Sequence, residues 1–481
     1  MTDVAKLEKL RPCGRLETYS TSRHYLGYYN NVCMAATYHT PSSILSLEAS
    51  IYAALKQVIT KHTILSALPV DEVKSHPDVY FARLSSIDLR SNVEFRERTH
   101  SLPGDGEADE ELDQLLIDNH NRNFKEDLGS KPFWRFAVLN SAAEESIFTA
   151  VWVFHHALAD GTSAMLFHDT FLAALNAPGP NPDTSTMADT PTTPLPPPLE
   201  EQHSMGLSWP FFLNAVAKSI LPALFDKRPE KLWTGSNIPK EIKSAPQFKT
   251  RTMVFSSETT KQLALLSRKQ GVTVTATLQA LLSASLFLHL PATEIDKIKI
   301  NGPIAMRPFL EDVPDDQMTN AITSYEIMHH RPITTDLTGA EQAKVLNFFS
   351  WNEASVVKSA IQTAVVKKGS DNPIALLKYV SNIHDFVASG LGKPRKLTAE
   401  MSNIGLYKAK TGGQWKIGRM TLSQCANPAD AAFHVNVMTG GDGNASLNAN
   451  WCEGAVDEEF LSRILDSLKE GVLALVEEFE C

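Results

Sequence analysis

The sequence predicts an α/β (α+β) protein in which strands and helices follow one another along the chain. Three observations carry that reading. An alternating apolar stretch at 148–154 runs almost directly into an apolar helical run at 163–175. Near the C-terminus, two alternating segments, 433–438 and 445–451, flank Gly440-Gly441-Asp442-Gly443, the pattern of a β-hairpin. Between these strand signals lie long apolar periodicities of three and four residues, which suit helices.

Taken in order, the first helix spans 43–62, where Leu47, Ile51, Ala54, Leu55, Val58 and Ile59 mark one buried face. Strands follow at 133–139 and 147–154. Eight prolines fall between 177 and 198, which excludes a helix or a central strand and predicts an extended surface crossover. The chain therefore divides into a first lobe (1–176), a linker (177–205) and a second lobe (206–481). In the second lobe a strand at 251–256 precedes a helix capped by Ser256 or Ser257 and stopped at Gly271. A helix at 274–290, a strand at 298–306, the hairpin and a final amphipathic helix at 457–479 complete the chain.

The stretch 209–225 is apolar apart from Asn214, Lys218 and Ser219, and Pro210 and Pro222 interrupt it. A membrane span needs roughly 20 apolar residues, so a buried or pocket-lining helix is expected here. Peripheral attachment to a membrane is the alternative.

Composition narrows the function classes. A net charge of −10 with no long basic run argues against a nucleic-acid surface. Cys13, Cys33, Cys425, Cys452 and Cys481 are scattered and odd in number, as expected of reduced thiols in an intracellular protein. The N-terminus lacks the apolar core of a signal peptide, which points to a cytoplasmic location.

The most informative segment is His155-His156-Ala-Leu-Ala-Asp160-Gly161. A strand ends in a turn that presents an imidazole, with a carboxylate four residues later. A histidine base needs one ring nitrogen free and its orientation fixed. Asp160 could orient the ring directly or brace the turn by pairing with an arginine, and Gly161 would tolerate a positive φ there. Two other readings stay open. His155 and His156 could be ordinary core histidines, or with Asp160 they could ligate iron or zinc. Adjacent strand histidines point to opposite faces, which disfavours the metal site. No Gly-x-Ser-x-Gly elbow or Cys–His pairing suggests a covalent nucleophile.

His-His-x-x-x-Asp-Gly resembles the signature of the acyltransferase superfamily built like chloramphenicol acetyltransferase, which includes condensation domains of peptide synthetases. The remaining blocks resemble the fungal alcohol acetyltransferases. They are Arg15-Leu16-Glu17, the run from Arg23 to Gly27, Pro132-Phe133-Trp134-Arg135, Leu232-Trp233-Thr234-Gly235, Thr273 to Thr277, Met306-Arg307-Pro308-Phe309, and Ser402-Asn403-Ile404-Gly405. The plant branch's Asp-Phe-Gly-Trp-Gly is absent. The resemblance implies two similar lobes, each a mixed sheet with flanking helices, around a central channel.

It also implies a chemistry. His156 would be the general base, and Asp160 would be structural, paired with Arg307. Ser402 or Asn403 would steady the oxyanion, with Ser423 and Asn436 as further candidates. Acetyl-CoA or another acyl-CoA would be the cosubstrate, with no tightly bound cofactor, no metal and no residues assignable to CoA. The acceptor would be a small alcohol or secondary metabolite. A monomer is expected, with peripheral attachment to endoplasmic reticulum or lipid droplets left open. Two rival functions remain on the same sequence. One is a related enzyme using a carrier-bound donor, or promoting cyclisation or elimination through the histidine. The other is a ligand-binding protein without catalysis.

Overall fold

A computed structural model describes residues 4–480 apart from 42–45, 142–143, 145, 178–184, 222–227, 243–245, 334–343 and 409–411. Parts of the expected first helix, the linker and the apolar stretch, as well as Cys481, lie outside the described residues.

The first half is organised by the strand Ile147–Phe154, which is buried almost throughout and sits centrally in a five-stranded sheet. It pairs antiparallel with Val32–His39 on one side and Trp134–Asn140 on the other. Both its faces are covered, which is why its apolar content is nearly continuous. Trp152 stacks on Phe154 and on Phe167, with ring centroids 4.1 and 4.3 Å apart. Phe167 belongs to the helix Gly161–Asn176, so these rings lock the helix onto the strand that precedes it. Full burial of each such side chain is worth roughly 1.5–3 kcal/mol. The turn at 155–160 is thus held between two anchored elements.

The second half carries a seven-stranded sheet. The expected hairpin is present, Phe433–Thr439 against Ala445–Cys452. Met401, Val435, Val437, Leu447 and Ala449 form its apolar face and share a core with the helices Ser257–Lys269, Val274–His289 and Glu458–Glu480. The alternate positions, including Glu400, Ser402, His434, Asn436, Asn448 and Asn450, are polar and face the other way.

One strand of the second half, Lys416–Gln424, lies at the edge of the first sheet beside Val32–His39. It brings Ser423 and Gln424 onto the polar face of the second sheet. Ser423 bonds His120 and Asn450, while Gln424 bonds Tyr29, Glu400 and Asn436. The two halves are therefore joined through a buried hydrogen-bond network, which costs little only because its members satisfy one another.

Two expectations need correction. The proline-rich segment does not simply cross the surface: Met187–Asp189 pairs with Ser86–Asp88, and Ala188 and Leu195 are buried. The helix Trp209–Ile220 has no buried residue, and Trp209 is 76% exposed. Hydrophobicity predicted burial, but only Phe211, Phe212 and the Ala215 side of this helix turn inward, with Phe212 against Tyr379. Among the described residues, no single helix is long and apolar enough to cross a membrane. Cys13, Cys33, Cys425 and Cys452 are buried free thiols.

Candidate active site

The strand Ile147–Phe154 delivers His155 and His156 to opposite sides, as its pleat requires. His155 is buried. Its Nδ1 accepts the Ala157 N–H at 3.0 Å, so its proton sits on Nε2, 3.2 Å from Glu72 Oε1. His24 mirrors it: Nε2 accepts the Phe124 N–H at 3.2 Å, and Nδ1 lies 2.7 Å from Glu72 Oε2. Burial alone would push the Glu72 carboxyl up, but His24 and His155 hold it down at about 2. Burial takes His155 down to about 4. The three ligand-type atoms converge within 4.8 Å. Their tautomers, fixed by backbone donors, put a ring N–H beside each Glu72 oxygen, well bonded from His24 and poorly aligned from His155, which suits a carboxylate shared by two imidazoles and not a cation.

His156 is only half-buried, though it lies between the two halves. Its ring faces Tyr29, with centroids 5.7 Å apart, and its carbonyl accepts Asn320 Nδ2 at 2.7 Å. Nδ1 is buried without a well-formed hydrogen bond, and the carbonyls of His156 and Ala159 favour the protonated ring without overcoming its burial. Burial, reinforced by Arg23, lowers the ring to about 3, so the imidazole is neutral around pH 7.

Asp160 serves the turn and not the ring. Oδ1 accepts the Ser163 N–H at 2.7 Å and caps the helix Gly161–Asn176. Oδ2 accepts the Ala321 N–H at 3.1 Å. Burial pushes this carboxyl up, opposed by Arg307 and by those backbone donors.

The expected direct pair with Arg307 does not form. Arg307 instead donates to Gln317 O at 2.6 Å and to Ser163 Oγ at 3.1 Å, and Ser163 exchanges hydrogen bonds with Thr319. The serine hydroxyl occupies the place between the two charges. Gly161 also acts differently from expectation. It has no positive φ, but a Cβ there would meet Ile404 Cδ1 at 2.6 Å, so the glycine permits close approach of the strand Ala399–Leu406.

That strand carries the oxyanion candidates. Ile404, at a break in the strand's register, rests on Gly161, while Ser402 stands opposite Asn436 on the polar face of the sheet. Asn403 points elsewhere: Nδ2 donates to Thr275 Oγ1 at 3.0 Å and Oδ1 accepts the Gly405 N–H at 2.8 Å. Ser423 and Asn436 are consumed in the interface network described above. Both are thereby tied up away from the ring.

Sequence reasoning missed Glu72, Tyr29, Asn320, Glu400 and His434, none of which stands in a motif, and gave Arg23 no role. A separate cleft of about 380 Å³, lined by Ala35, Thr37, Asp105, Thr252 and Arg419 among others, opens at the far end of the same strands and does not include His156.

The fold is mixed α/β, and its motif histidine stands between the two halves on a turn that Asp160 caps and the second half braces. The family model for alcohol acetyltransferases matches residues 12–472, and the chain belongs to that family. It is 31% identical to the probable alcohol acetyltransferase crmB of Aspergillus fumigatus, over 97% of this chain and 99% of that protein. A probable alcohol acetyltransferase of Fusarium pseudograminearum, FCK4, is 23% identical over 97% and 95% of the two chains. In fold, the chain is similar to the trichothecene 15-O-acetyltransferase TRI3 of Fusarium sporotrichioides. There the TM-score is 0.69 at 12% identity, covering 97% of this chain and 95% of that one.

Proposed function

We propose that this acyltransferase moves an acetyl group from acetyl-CoA to the hydroxyl of a small alcohol or secondary metabolite, with His156 as general base. The observation that supports this most is the placing of His156: partly accessible between the two halves, on a turn held at both ends. The acceptor hydroxyl gives its proton to Nε2 as its oxygen attacks the thioester carbonyl. The tetrahedral intermediate collapses, the C–S bond breaks, and the CoA thiolate takes the proton back from the imidazolium. A ring held near 3 is a weak base on its own. Protonation is eased because the imidazolium forms beside the oxyanion, whose charge compensates it. Ser402 is the donor best placed to steady that oxyanion. Nothing in this sequence of steps needs an acyl-enzyme.

Release of free thiol from acetyl-CoA, dependent on a hydroxylated acceptor, tests this reading. Mass spectrometry of products with acetyl-CoA present and absent separates it from chemistry on a carrier-bound donor or without any donor. As to location, the exposed Trp209, Leu213 and Ile220, with Lys218 on the same helix, support peripheral contact with a lipid surface. Co-sedimentation with anionic vesicles, lost in Trp209→Ser, is the corresponding test.

A further inference from the structure

Tyr19, Arg23, His156, Glu400 and Asp430 each keep solvent-accessible surface. Burial is nonetheless the main influence on the titration of four of them, Tyr19, His156, Glu400 and Asp430. Deep side chains that stay accessible point to an internal space around His156.

The wall opposite the histidine is polar in register. Asn301, Glu400 and His434 stand side by side on three neighbouring strands. His434 is 4% exposed, and neither ring nitrogen has a protein partner. Its Nδ1 lies 3.9 Å from Glu400 Oε1, too far to bond. Asn301 Oδ1 is also buried without a partner. Glu400 receives Gln424 Nε2 at 3.1 Å, and Gln424 receives the Tyr29 hydroxyl at 2.7 Å. Tyr29 in turn packs on His156, so the row and the base belong to one space. Arg23 completes it, with its guanidinium 4.4 and 4.3 Å from the Tyr19 and Tyr29 rings and its Nε without a partner.

We propose that Asn301, Glu400 and His434 form a second anchor for the acceptor, and that the acceptor is polyoxygenated. One hydroxyl reacts at His156, and another hydrogen-bonds to Glu400 and His434. This rests on the reading of His156 as the base for acyl transfer. A plain alkyl alcohol would cover this row without meeting its hydrogen-bonding needs, which binding disfavours. Glu400 accepts from a hydroxyl, and an ammonium would compete for the same oxygens, so amino alcohols belong in the comparison.

The test compares cyclic mono-alcohols with their 1,2-, 1,3- and 1,4-diols and the matching amino alcohols, using acetyl-CoA and the full chain. The wild type should show kcat/KM at least about tenfold higher for one diol than for its mono-alcohol. In Glu400→Gln and in His434→Leu that ratio should fall to within about twofold of one. His434→Leu removes no protein hydrogen bond, so it guards against misfolding of the first variant.

A second readout needs no turnover. The preferred diol should raise the melting temperature of the wild type and of His156→Ala, but not of the Glu400 and His434 variants. If the wild type turns over alcohols with a ratio near one, the anchor is wrong and acyl transfer stands. An effect confined to the KM of acetyl-CoA would also overturn it, by giving the row to the donor. Preference for the amino alcohol would overturn the hydroxyl as the group this row anchors. If no acceptor yields thiol, but the melting shift still depends on Glu400 and His434, the anchor holds and the transfer reading fails.

Discussion

Asp160 accepts the backbone N–H of Ala321 across 3.1 Å, while its other oxygen caps the helix that begins at Gly161. A single carboxylate therefore fixes the motif turn and ties it to the second half of the chain. Close by, Asn320 holds the His156 carbonyl, so two adjacent residues of the second half clamp both ends of the motif turn.

Asp160→Ala should consequently act on stability first. It removes an N-cap, worth about 0.5–2 kcal/mol, and leaves the buried Ala321 N–H unpaired, at about 1–3 kcal/mol. Urea unfolding is expected to show a total loss of roughly 2–4 kcal/mol. Arg307 acts on Asp160 through space and by way of Ser163, so the double-mutant coupling between Asp160→Ala and Arg307→Ala should fall at about 0.5–3 kcal/mol. Strict additivity of the two changes would contradict this.

Gly161→Ala places a methyl group 2.6 Å from Ile404 Cδ1. Overpacking of that kind is expected to cost about 1–3 kcal/mol. Adding Ile404→Ala should recover much of the loss, if the obstacle is space and not backbone conformation. Failure of the second change to rescue the first would contradict this.

Glu72→Gln tests the shared carboxylate. Glutamine sets an amide N–H₂ where one carboxylate oxygen faced a ring N–H, so two donors oppose each other at His24 or at His155, at a cost of about 1–3 kcal/mol. Nitrogen-resolved NMR of His155 should report the proton on Nε2 in the wild type and a mixture of tautomers in the variant. A wild-type proton on Nδ1 would contradict the assigned arrangement.

Acid should destabilise the fold well before ordinary carboxylates titrate. Burial lowers His62, His155, His168 and His434 to about 4, and His120 and His156 to about 3, against roughly 6.5 in an unfolded chain. Between those values the unfolded state binds more protons, so stability is fully present above about pH 6.5 and is lost as pH falls toward 4. Each histidine contributes up to about 1.4 kcal/mol per pH unit in that window. Asp113, raised by burial to about 6, works in the opposite direction. Melting temperatures from pH 7.5 to 4.5 should drop steeply below 6.5; a flat profile would contradict the burial of neutral rings.

The motif turn was legible in the sequence because its signals are local: a strand period, a capping carboxylate and a helix period within some thirty residues. Its partners were not. Ala321 and Asn320 act on the turn from 161 and 164 positions away, and Ala321 does so through a backbone group, which no side-chain pattern announces. Arg307 was identified as a neighbour of Asp160, but the intervening hydroxyl of Ser163 is invisible to a charge-pairing argument. Asn403 and Ser402 looked equivalent until the pleat separated them. The helix Trp209–Ile220 shows the limit from the other side: composition reports apolarity, and only the fold reports what covers it.

The central claim is that the imidazole of His156 removes a proton from the acceptor. Thiol release from acetyl-CoA with a turned-over alcohol, measured for the wild type and for His156→Ala with matching circular dichroism, tests it most directly. The rate should fall by about 10²–10⁴ in the variant. A correctly folded His156→Ala protein that turns over at the wild-type rate would contradict the account.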